Sequence, residues 1–337
     1  MTGPAASGQR IEWESLPEQV RAAVEGWLGS PVVSATTQPG GFSPGVASRL
    51  VAADGRRVFV KAVSASPNPD SPRFHRREIR IASAMPESAP VPNLLWSLDQ
   101  GGDGWVVLVY EDIEGRHPAL PWVPEELDRV LGALEQLSVS LTPSPVSEDV
   151  ADSVVRWLQR YGQGWNRLLE DPLPGLDHWT QRHLMGLATL EGRASAAAKG
   201  DTLLHFDTRA DNVLLTDDRV YFVDWPHARL GQSWVDVVFF APSVAMQGGP
   251  KPEELLMRHA AGRAAEPHAV SAVIAAVAGF FTLQSLQPPS PGIPGIRRFQ
   301  AAQGEIARNW LADREDRPGG LLFIRGGQQQ GRRGAMS

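Results

Sequence analysis

The fold of this chain is most strongly constrained by residues 203–225, which read LLHFDTRADNVLLTDDRVYFVDW. Two nearly all-apolar runs within this stretch, residues 213–215 and 220–223, are separated by a turn and predict two buried strands. The ends of these strands carry acids instead of Gly or Ser, and a His-x-Asp-x-x-x-x-Asn string precedes the first strand. Three oxygen-bearing side chains are therefore expected at the ends of two adjacent strands: Asp207, Asn212 and Asp224.

These three side chains have the chemistry that phosphoryl transfer to a hydroxyl group requires. Mg²⁺ prefers hard oxygen ligands in near-octahedral geometry and takes substrate phosphates as further ligands. One carboxylate must also orient the attacking hydroxyl and accept its proton. The alternative is that they are polar caps on an ordinary hairpin, where such residues are common. Strands this apolar should be well buried, yet their ends carry acids, and this contrast favours the catalytic interpretation.

The same residues carry a family resemblance. The string from His205 to Asn212, with the Asp-Trp pair at 224–225, resembles the catalytic loop and metal loop of aminoglycoside phosphotransferases and related small-molecule kinases, which share the protein-kinase fold. The family usually has Gly before the catalytic Asp, and Phe206 takes that position here. The resemblance implies these roles: Asp207 as catalytic base, Asn212 and Asp224 as Mg²⁺ ligands, and His205 as a brace for the loop.

A second pair of charged residues points to nucleotide phosphates. Lys61 lies in the strand pattern of residues 58–63, and a lysine on a rigid strand can deliver a point charge to phosphates. Glu78 shares one face of a predicted helix with apolar residues, where a buried carboxylate needs a partner. The alternative for Lys61 is an ordinary strand lysine whose charged end reaches solvent. The pair resembles the strand-lysine and helix-glutamate ion pair of the kinase fold.

Two further segments are assigned to nucleotide binding by their position. Residues 40–45 form a Gly-rich loop between two predicted strands, where backbone N–H groups can approach phosphates. Residues 107–112 end a predicted strand at the junction that joins the two lobes in kinase-like folds, where backbone groups would pair with adenine. A simple turn and a simple strand end are the alternatives. The candidates are Gly41, Ser43, Tyr110 and Asp112.

The resemblance extends to residues around and after Asp224. The family commonly has an acid that opens a helix and braces the catalytic loop, and Asp236 fits this structural role. An acid at a helix start is also favoured by the helix dipole alone. Two residues inside the catalytic loop and two tryptophans after it are candidates for contact with substrate, although solvated positions are the simpler interpretation for the loop pair. These four residues are Arg209, Asp211, Trp225 and Trp234.

The pattern of the whole chain predicts an α+β fold of the protein-kinase-like two-lobe type. Strands over residues 32–37, 47–53, 57–63, 90–98 and 105–110, with a helix over 72–85, predict a small antiparallel lobe. The spacing predicts further helices over residues 125–141, 152–169, 176–198, 234–246, 252–261, 267–286 and 296–312. Ser15, Pro17 and Glu18 fit the capping box of an N-terminal helix that Gly29 ends.

Four segments are expected from these boundaries. Residues 1–30 are a tail and a helix, with 1–14 disordered, and residues 31–111 are the small nucleotide-binding lobe. Residues 112–317 are the helical catalytic and substrate lobe, and 318–337 are a disordered tail rich in Gly, Gln and Arg.

Composition limits the sites and partners of the chain. The 337 residues include no Cys, which excludes disulfides and thiolate metal sites and is typical of a reducing cytoplasm. The net charge of −6 argues against a nucleic-acid partner and mildly for a cationic one. No apolar signal segment is seen near the N-terminus. The apolar residues 269–283 are fewer than the ~20 that a membrane span needs, so they predict a buried core helix and no membrane partner.

Together the patterns and the resemblance imply an ATP-dependent O-phosphotransferase that uses Mg²⁺, with GTP as an alternative donor. A small-molecule acceptor is expected because the residues after Asp224 lack the Ala-Pro-Glu signature of protein kinases. The resemblance and the mild acidity favour an aminoglycoside or another cationic antibiotic as the acceptor. Two alternatives stay open: a metabolite kinase for choline-, amino-acid- or sugar-type hydroxyls, and a nucleotide-binding pseudokinase that regulates a partner. The sequence does not predict the oligomeric state.

Overall fold

A five-stranded antiparallel sheet forms the centre of the small lobe. The computed structural model describes residues 10–38, 45–289 and 295–315. The strand order is β1-β2-β3-β5-β4, with every neighbouring pair antiparallel. The strands are β1 (Val32–Thr37), β2 (Val46–Ala52), β3 (Arg57–Val63), β4 (Leu94–Asp99) and β5 (Val106–Glu111).

The sheet presents two different faces because successive side chains of a strand point to opposite sides. Val58, Val60 and Ala62 of β3 pack in one core with the N-terminal helix α1 (Glu18–Leu28). The other face packs against helix α2 (Ser71–Ala82). Lys61 lies between Val60 and Ala62 in sequence, so the two-residue period directs its side chain to the α2 face.

The start of the chain differs from the prediction. Residues 10–14 were expected to be disordered, but Trp13 is buried in the core beneath the sheet and begins a short 3₁₀ helix, Trp13–Ser15. The predicted capping box is also wrong, because helix α1 begins only at Glu18 and its N-cap, Pro17, makes no side-chain cap hydrogen bond. Ser15, the expected cap residue, lies in the 3₁₀ helix that buried Trp13 begins, and a local capping pattern does not predict such burial. Gly29 ends α1 in a left-handed conformation, as predicted.

Short antiparallel pairs follow in the second lobe and carry the candidate catalytic residues. Strand β6 (Thr202–Leu204) pairs with β9 (Arg229–Gly231). Strand β7 (Val213–Leu215) pairs with β8 (Val220–Phe222) in the predicted hairpin. The strands are shorter than the apolar runs that predicted them.

The rest of the second lobe is helical. Three of the predicted helices are each divided into two, at Gly162, Gly192 and His259, which are the cap positions at the ends of α4, α6 and α9. The helices are α3 (Pro124–Ser140), α4 (Val154–Tyr161), α5 (Gly164–Glu170), α6 (His178–Glu191), α7 (Ala194–Ala197), α8 (Val235–Met246), α9 (Pro252–Arg258), α10 (Ala260–Ala264), α11 (Pro267–Ser285) and α12 (Ile296–Glu315).

Helix α11 is the central helix of this lobe. By length and composition it is apolar enough to cross a membrane. It packs against α5, α6, α7, α8 and α12, and most of its residues are buried by these neighbours. This is the position of a core helix, which the apolar residues 269–283 predicted.

Candidate active site

The β7–β8 hairpin and the loop before it bring the three oxygen-bearing side chains together. Asn212 Nδ2 donates hydrogen bonds to the main-chain oxygen and to Oδ2 of Asp207, at 2.8 and 3.1 Å. The main-chain oxygen of Asn212 accepts from Val223 N at 3.0 Å, one residue before Asp224. The open end of the hairpin therefore places Asn212 between Asp207 and Asp224.

Lys61 joins this group from the small lobe. Its Nζ lies 2.7 Å from Glu78 Oε1 and 2.8 Å from Asp224 Oδ1. Burial lowers the pKa of Lys61, but the charges of Asp224 and Glu78 outweigh it and raise the pKa above its ordinary value. Burial acts in the opposite direction on Asp224 and raises its pKa. The Lys61 ammonium more than offsets this effect of burial and holds the Asp224 pKa well below its usual range. Lys61 and Asp224 are therefore charged at neutral pH.

Tyr110 and Asp112 contribute side chains as well as backbone. The Tyr110 hydroxyl donates to Glu78 Oε1 at 3.1 Å, and burial, followed by the Glu78 charge, raises the pKa of Tyr110 well above its ordinary value. The carboxylate of Asp112 is almost fully buried and pairs with Arg49 at 3.3 Å and Arg57 at 2.8 Å. Both residues line the same cavity as Lys61, so a nucleotide bound in that cavity would lie beside them.

The catalytic loop is held by a histidine and an aspartate behind it. The His205 ring contacts the Val223 main-chain oxygen through Nε2 at 2.9 Å and accepts from Asp207 N through Nδ1 at 3.3 Å, which a ring protonated on Nε2 satisfies. Asp236 accepts from the backbone N–H groups of His205 and Phe206, both at 2.8 Å. Burial raises the pKa of Asp236, against the opposing effects of His205 and these donors.

Two cavities adjoin at this site. The Lys61 cavity, about 180 Å³, is lined by Lys61, Glu78, Asn212 and Asp224 among others. The Asp207 cavity, about 210 Å³, is lined by Asp207 and by residues of the second lobe. Because Asn212 lines the first cavity and donates to Asp207 in the second, the two spaces share this hydrogen-bonded pair.

The four candidate substrate residues lie in different surroundings. The Arg209 side chain is only 20% exposed and lies 3.3 Å from Asp207 Oδ1, so it is not the solvated residue that the simpler interpretation expected. Asp211 is 45% exposed and pairs with Arg209 at 2.9 Å. Trp225 is buried against His205 and lines the Lys61 cavity, and its contact with substrate stays a prediction. Trp234 is buried in the core at the N-cap position of α8 and is not among the residues that line either cavity, so its contact with substrate stays a prediction.

Gly41 and Ser43 of the Gly-rich loop lie outside the described residues. The sequence reasoning missed Arg10 and His75, which both line the Lys61 cavity. His75 is on the buried face of α2, one turn before Glu78, and that spacing could have revealed it. Arg10 comes from the segment expected to be disordered, and its sequence neighbours carry no signal for this position.

Comparison with known proteins agrees with this geometry. The model of the phosphotransferase enzyme family APH matches residues 39–273. No curated protein sequence matches the chain significantly. Similar solved structures include an aminoglycoside phosphotransferase from Alicyclobacillus acidocaldarius subsp. acidocaldarius DSM 446, which is 18% identical with a TM-score of 0.53, over 84% of this chain and 91% of that one.

Two other similar structures have different named substrates. Choline kinase LicA from Streptococcus pneumoniae is 15% identical with a TM-score of 0.58, over 86% of this chain and 99% of that one. A thermostable mutant of aminoglycoside phosphotransferase APH(4)-Ia, in a ternary complex with AMP-PNP and hygromycin B, is 14% identical with a TM-score of 0.57, over 87% and 98%. These likenesses show the protein-kinase-like fold. The chain belongs to the phosphotransferase enzyme family, as a small-molecule kinase that transfers phosphate to a hydroxyl group.

Proposed function

We propose that this kinase transfers the γ-phosphoryl group of ATP to a hydroxyl of a small molecule, with the nucleotide in the Lys61 cavity and the acceptor in the Asp207 cavity. The observation that carries the proposal is the division of the site. Lys61, Asn212 and Asp224 line one cavity, and Asp207 lines the other while accepting a hydrogen bond from Asn212. A base belongs on the acceptor side and phosphate-binding groups on the nucleotide side.

Asp207 is the group that receives the proton of the acceptor hydroxyl. Its Oδ2 accepts from Asn212 Nδ2 at 3.1 Å and its Oδ1 lies 3.3 Å from Arg209, so the carboxylate is oriented before substrate arrives. Holding the base and the hydroxyl in a fixed geometry lowers the entropy cost of the transfer. Lys61, positioned by Glu78, would neutralise charge on the nucleotide phosphates.

The residues at the hairpin end fit a magnesium ion bound together with nucleotide. Among the described residues no group of three or more His, Asp or Glu side chains forms a metal site by itself. Asn212 and Asp224 each offer an oxygen in the Lys61 cavity, and nucleotide phosphates supply further ligands in sites of this kind. When bound there, Mg²⁺ would neutralise the negative charge that develops on the transferred phosphoryl group.

The phosphoryl donor in this proposal is ATP. The similar structure with AMP-PNP binds an ATP analogue, which supports ATP over GTP for this chain. Gly41 and Ser43, assigned to the phosphates by resemblance, and Tyr110 and Asp112, assigned to adenine by position, complete the proposed nucleotide site.

An ATP-consumption assay over a panel of hydroxylated amines, sugars and aromatic alcohols tests the activity, with binding of Mg·ATP measured in parallel. Turnover that depends on one acceptor supports the kinase assignment and identifies the acceptor class, including a choline-, amino-acid- or sugar-type metabolite. Binding of Mg·ATP without turnover for any member would favour the pseudokinase alternative and contradict the proposal.

A further inference from the structure

The walls of the Asp207 cavity are aromatic. Trp157 of α4, Phe206 of the catalytic loop and Phe239 of α8 contact one another, with ring centroids 4.5 to 5.6 Å apart. Phe280, Phe281 and Phe299 of α11 and α12 also line the cavity. None of these three is fully buried, so their rings have surface left for a ligand. Such walls favour an acceptor with an apolar body.

Several residues that line this cavity also carry a buried polar atom without a hydrogen-bond partner. The described residues contain seven buried side-chain N or O atoms with no hydrogen-bond partner, and four of them belong to residues that line the Asp207 cavity. Burial without a partner costs free energy unless a water or ligand supplies the missing bond. A hydroxyl-bearing ligand, which both donates and accepts, fits this set. The four atoms are Thr208 Oγ1, Arg229 Nε, Ser243 Oγ and Gln303 Oε1.

The charges around the cavity do not favour an amine. Asp207 is the acid in its described lining, and it is already bonded to Arg209 and Asn212. Arg209 and Arg229 both line the cavity. Arg229 also lies with its guanidinium carbon 5.5 Å from the centre of the Phe206 ring, the position that a ligand cation would take on that ring. Arg229 also pairs with Asp152 at 3.5 Å and Arg209 with Asp211 at 2.9 Å, so each of these carboxylates already has a guanidinium partner and none is left for an ammonium group.

We infer that the acceptor is a hydroxyl-bearing molecule with an apolar or aromatic body and no positive charge, either neutral or carrying a carboxylate, instead of a polycationic amino sugar. The inference rests on the proposed function, since it takes the Asp207 cavity as the acceptor site. It replaces the cationic acceptor that the mild acidity of the whole chain favoured, because the local charge at the site governs recognition and the net charge of the surface does not.

Three matched probes test the charge preference: 1-(1-naphthyl)ethanol, its amine-bearing analogue 2-amino-1-(1-naphthyl)ethanol, and the carboxylate 3-hydroxy-3-(1-naphthyl)propanoate. Their binding is measured by calorimetry, with and without Mg·AMP-PNP. The neutral and anionic probes are expected to bind about ten-fold more tightly than the amine. Tighter binding of the amine, or no binding of any probe, would overturn the inference. Loss of Mg·AMP-PNP binding alone would contradict the proposed function instead.

Two variants make the test specific to the cavity. Gln303→Glu places an isosteric carboxylate in the lining of the Asp207 cavity and is expected to improve binding of the amine probe about ten-fold. Gln136→Glu, at an exposed position, is its control. Arg229→Met is expected to remove the preference for the carboxylate over the amine, and Arg80→Met, which breaks an exposed ion pair with Asp149, is its control. Thermal melts show that each variant is folded. Unchanged probe preference in both folded cavity variants would refute the inference.

Discussion

Phe206 has a left-handed backbone conformation, with φ of 64°, at the position where the family usually has Gly. A side chain in this conformation costs about 1–2 kcal/mol. The cost is offset by packing, since the Phe206 ring lies 4.5 Å from the Phe239 ring and 5.1 Å from the Trp157 ring. The Asp236 carboxylate holds the strained peptide through the N–H groups of His205 and Phe206. The strained Phe206 therefore forms part of the wall of the Asp207 cavity.

This strain predicts an unusual order of stability. Phe206→Ala and Phe206→Gly should both destabilise the protein by about 3 kcal/mol, because the buried ring is lost. At an ordinary buried position Gly is about 0.5–1 kcal/mol worse than Ala. Here Phe206→Gly should be more stable than Phe206→Ala by about 1 kcal/mol, since Gly adopts positive φ freely. Urea unfolding of both variants measures the difference, and an Ala variant that is equal or better would show that the loop relaxes.

Asp207→Asn tests the catalytic base. The amide keeps the size of the side chain and can still accept from Asn212, so Mg·ATP affinity should change by no more than about two-fold. The kcat should fall about 10²- to 10⁴-fold, because the group that accepts the hydroxyl proton is gone. Asp218→Asn, at the turn of the β7–β8 hairpin where Asp218 accepts from Thr216, is the matched control and should keep its activity. A fully active Asp207 variant would contradict the assigned role.

At the scale of elements, one buried carboxylate joins two helices of the second lobe. Glu191, the last residue of α6, accepts from the backbone N–H groups of Trp165 at 3.1 Å and Asn166 at 3.0 Å, in the first turn of α5. Asn166 Nδ2 adds a third bond at 2.9 Å. Burial is the larger effect and raises the pKa of Glu191 from 4.5 to about 7, although these donors oppose it.

The raised pKa of Glu191 predicts the pH dependence of stability. The folded state binds the proton more tightly than the unfolded state, so this contribution is fully present below pH 4.5 and is lost as the pH rises to about 7. The change amounts to about 3 kcal/mol. Urea unfolding across this pH range should show a decline that Glu191→Gln flattens. Glu170→Gln, at an exposed position in α5, should keep the decline, and an equal slope in both variants would contradict the prediction.

At the scale of the whole molecule, side chains of the small lobe reach across to the helical lobe. Lys61 of β3 contacts Asp224, which follows β8, at 2.8 Å. Arg77 of α2 donates to the main-chain oxygen of Val150 at 3.0 Å and also contacts that of Ala228. The Lys61 cavity is lined by residues of both lobes, so the same contacts that join the lobes position the groups proposed to bind phosphate.

Lys61→Met tests whether Lys61 both stabilises the contact between the lobes and binds phosphate. The change leaves Glu78 and Asp224 without their shared cation, which should lower stability by about 2 kcal/mol, less than for a fully buried pair because Asp224 is 39% exposed. Affinity for Mg·ATP should fall at least about ten-fold. Lys251→Met, at a lysine that is 84% exposed, is the matched control and should change neither quantity. Calorimetric titration and thermal melts measure both, and unchanged affinity in the Lys61 variant would exclude a phosphate-binding role.

Local patterns predicted much of this arrangement. Strands β1 and β3 have the predicted bounds, and the apolar stripe of α2 correctly indicated that Glu78 is buried and needs a partner. Patterns failed where distant residues decide the local structure. The capping box did not form, since Ser15 belongs to the 3₁₀ helix that buried Trp13 begins, and three predicted helices are divided at cap residues. The family model then confirmed the kinase resemblance that residues 203–225 carried.

The sequence alone determined which chemical groups are present and how each sits on its own strand or helix, because hydrophobic periodicity and turn residues act over a few neighbouring positions. Only the tertiary structure decided that Lys61 contacts Asp224, 163 positions later, and that Asp207 faces a different cavity from Asn212. The aromatic and arginine lining of the Asp207 cavity comes from the catalytic loop and from α4, β9, α8, α11 and α12, and packing brought these elements together. Contacts between elements so distant in sequence depend on how the apolar faces of helices and sheets pack together, and a local sequence pattern does not predict that packing.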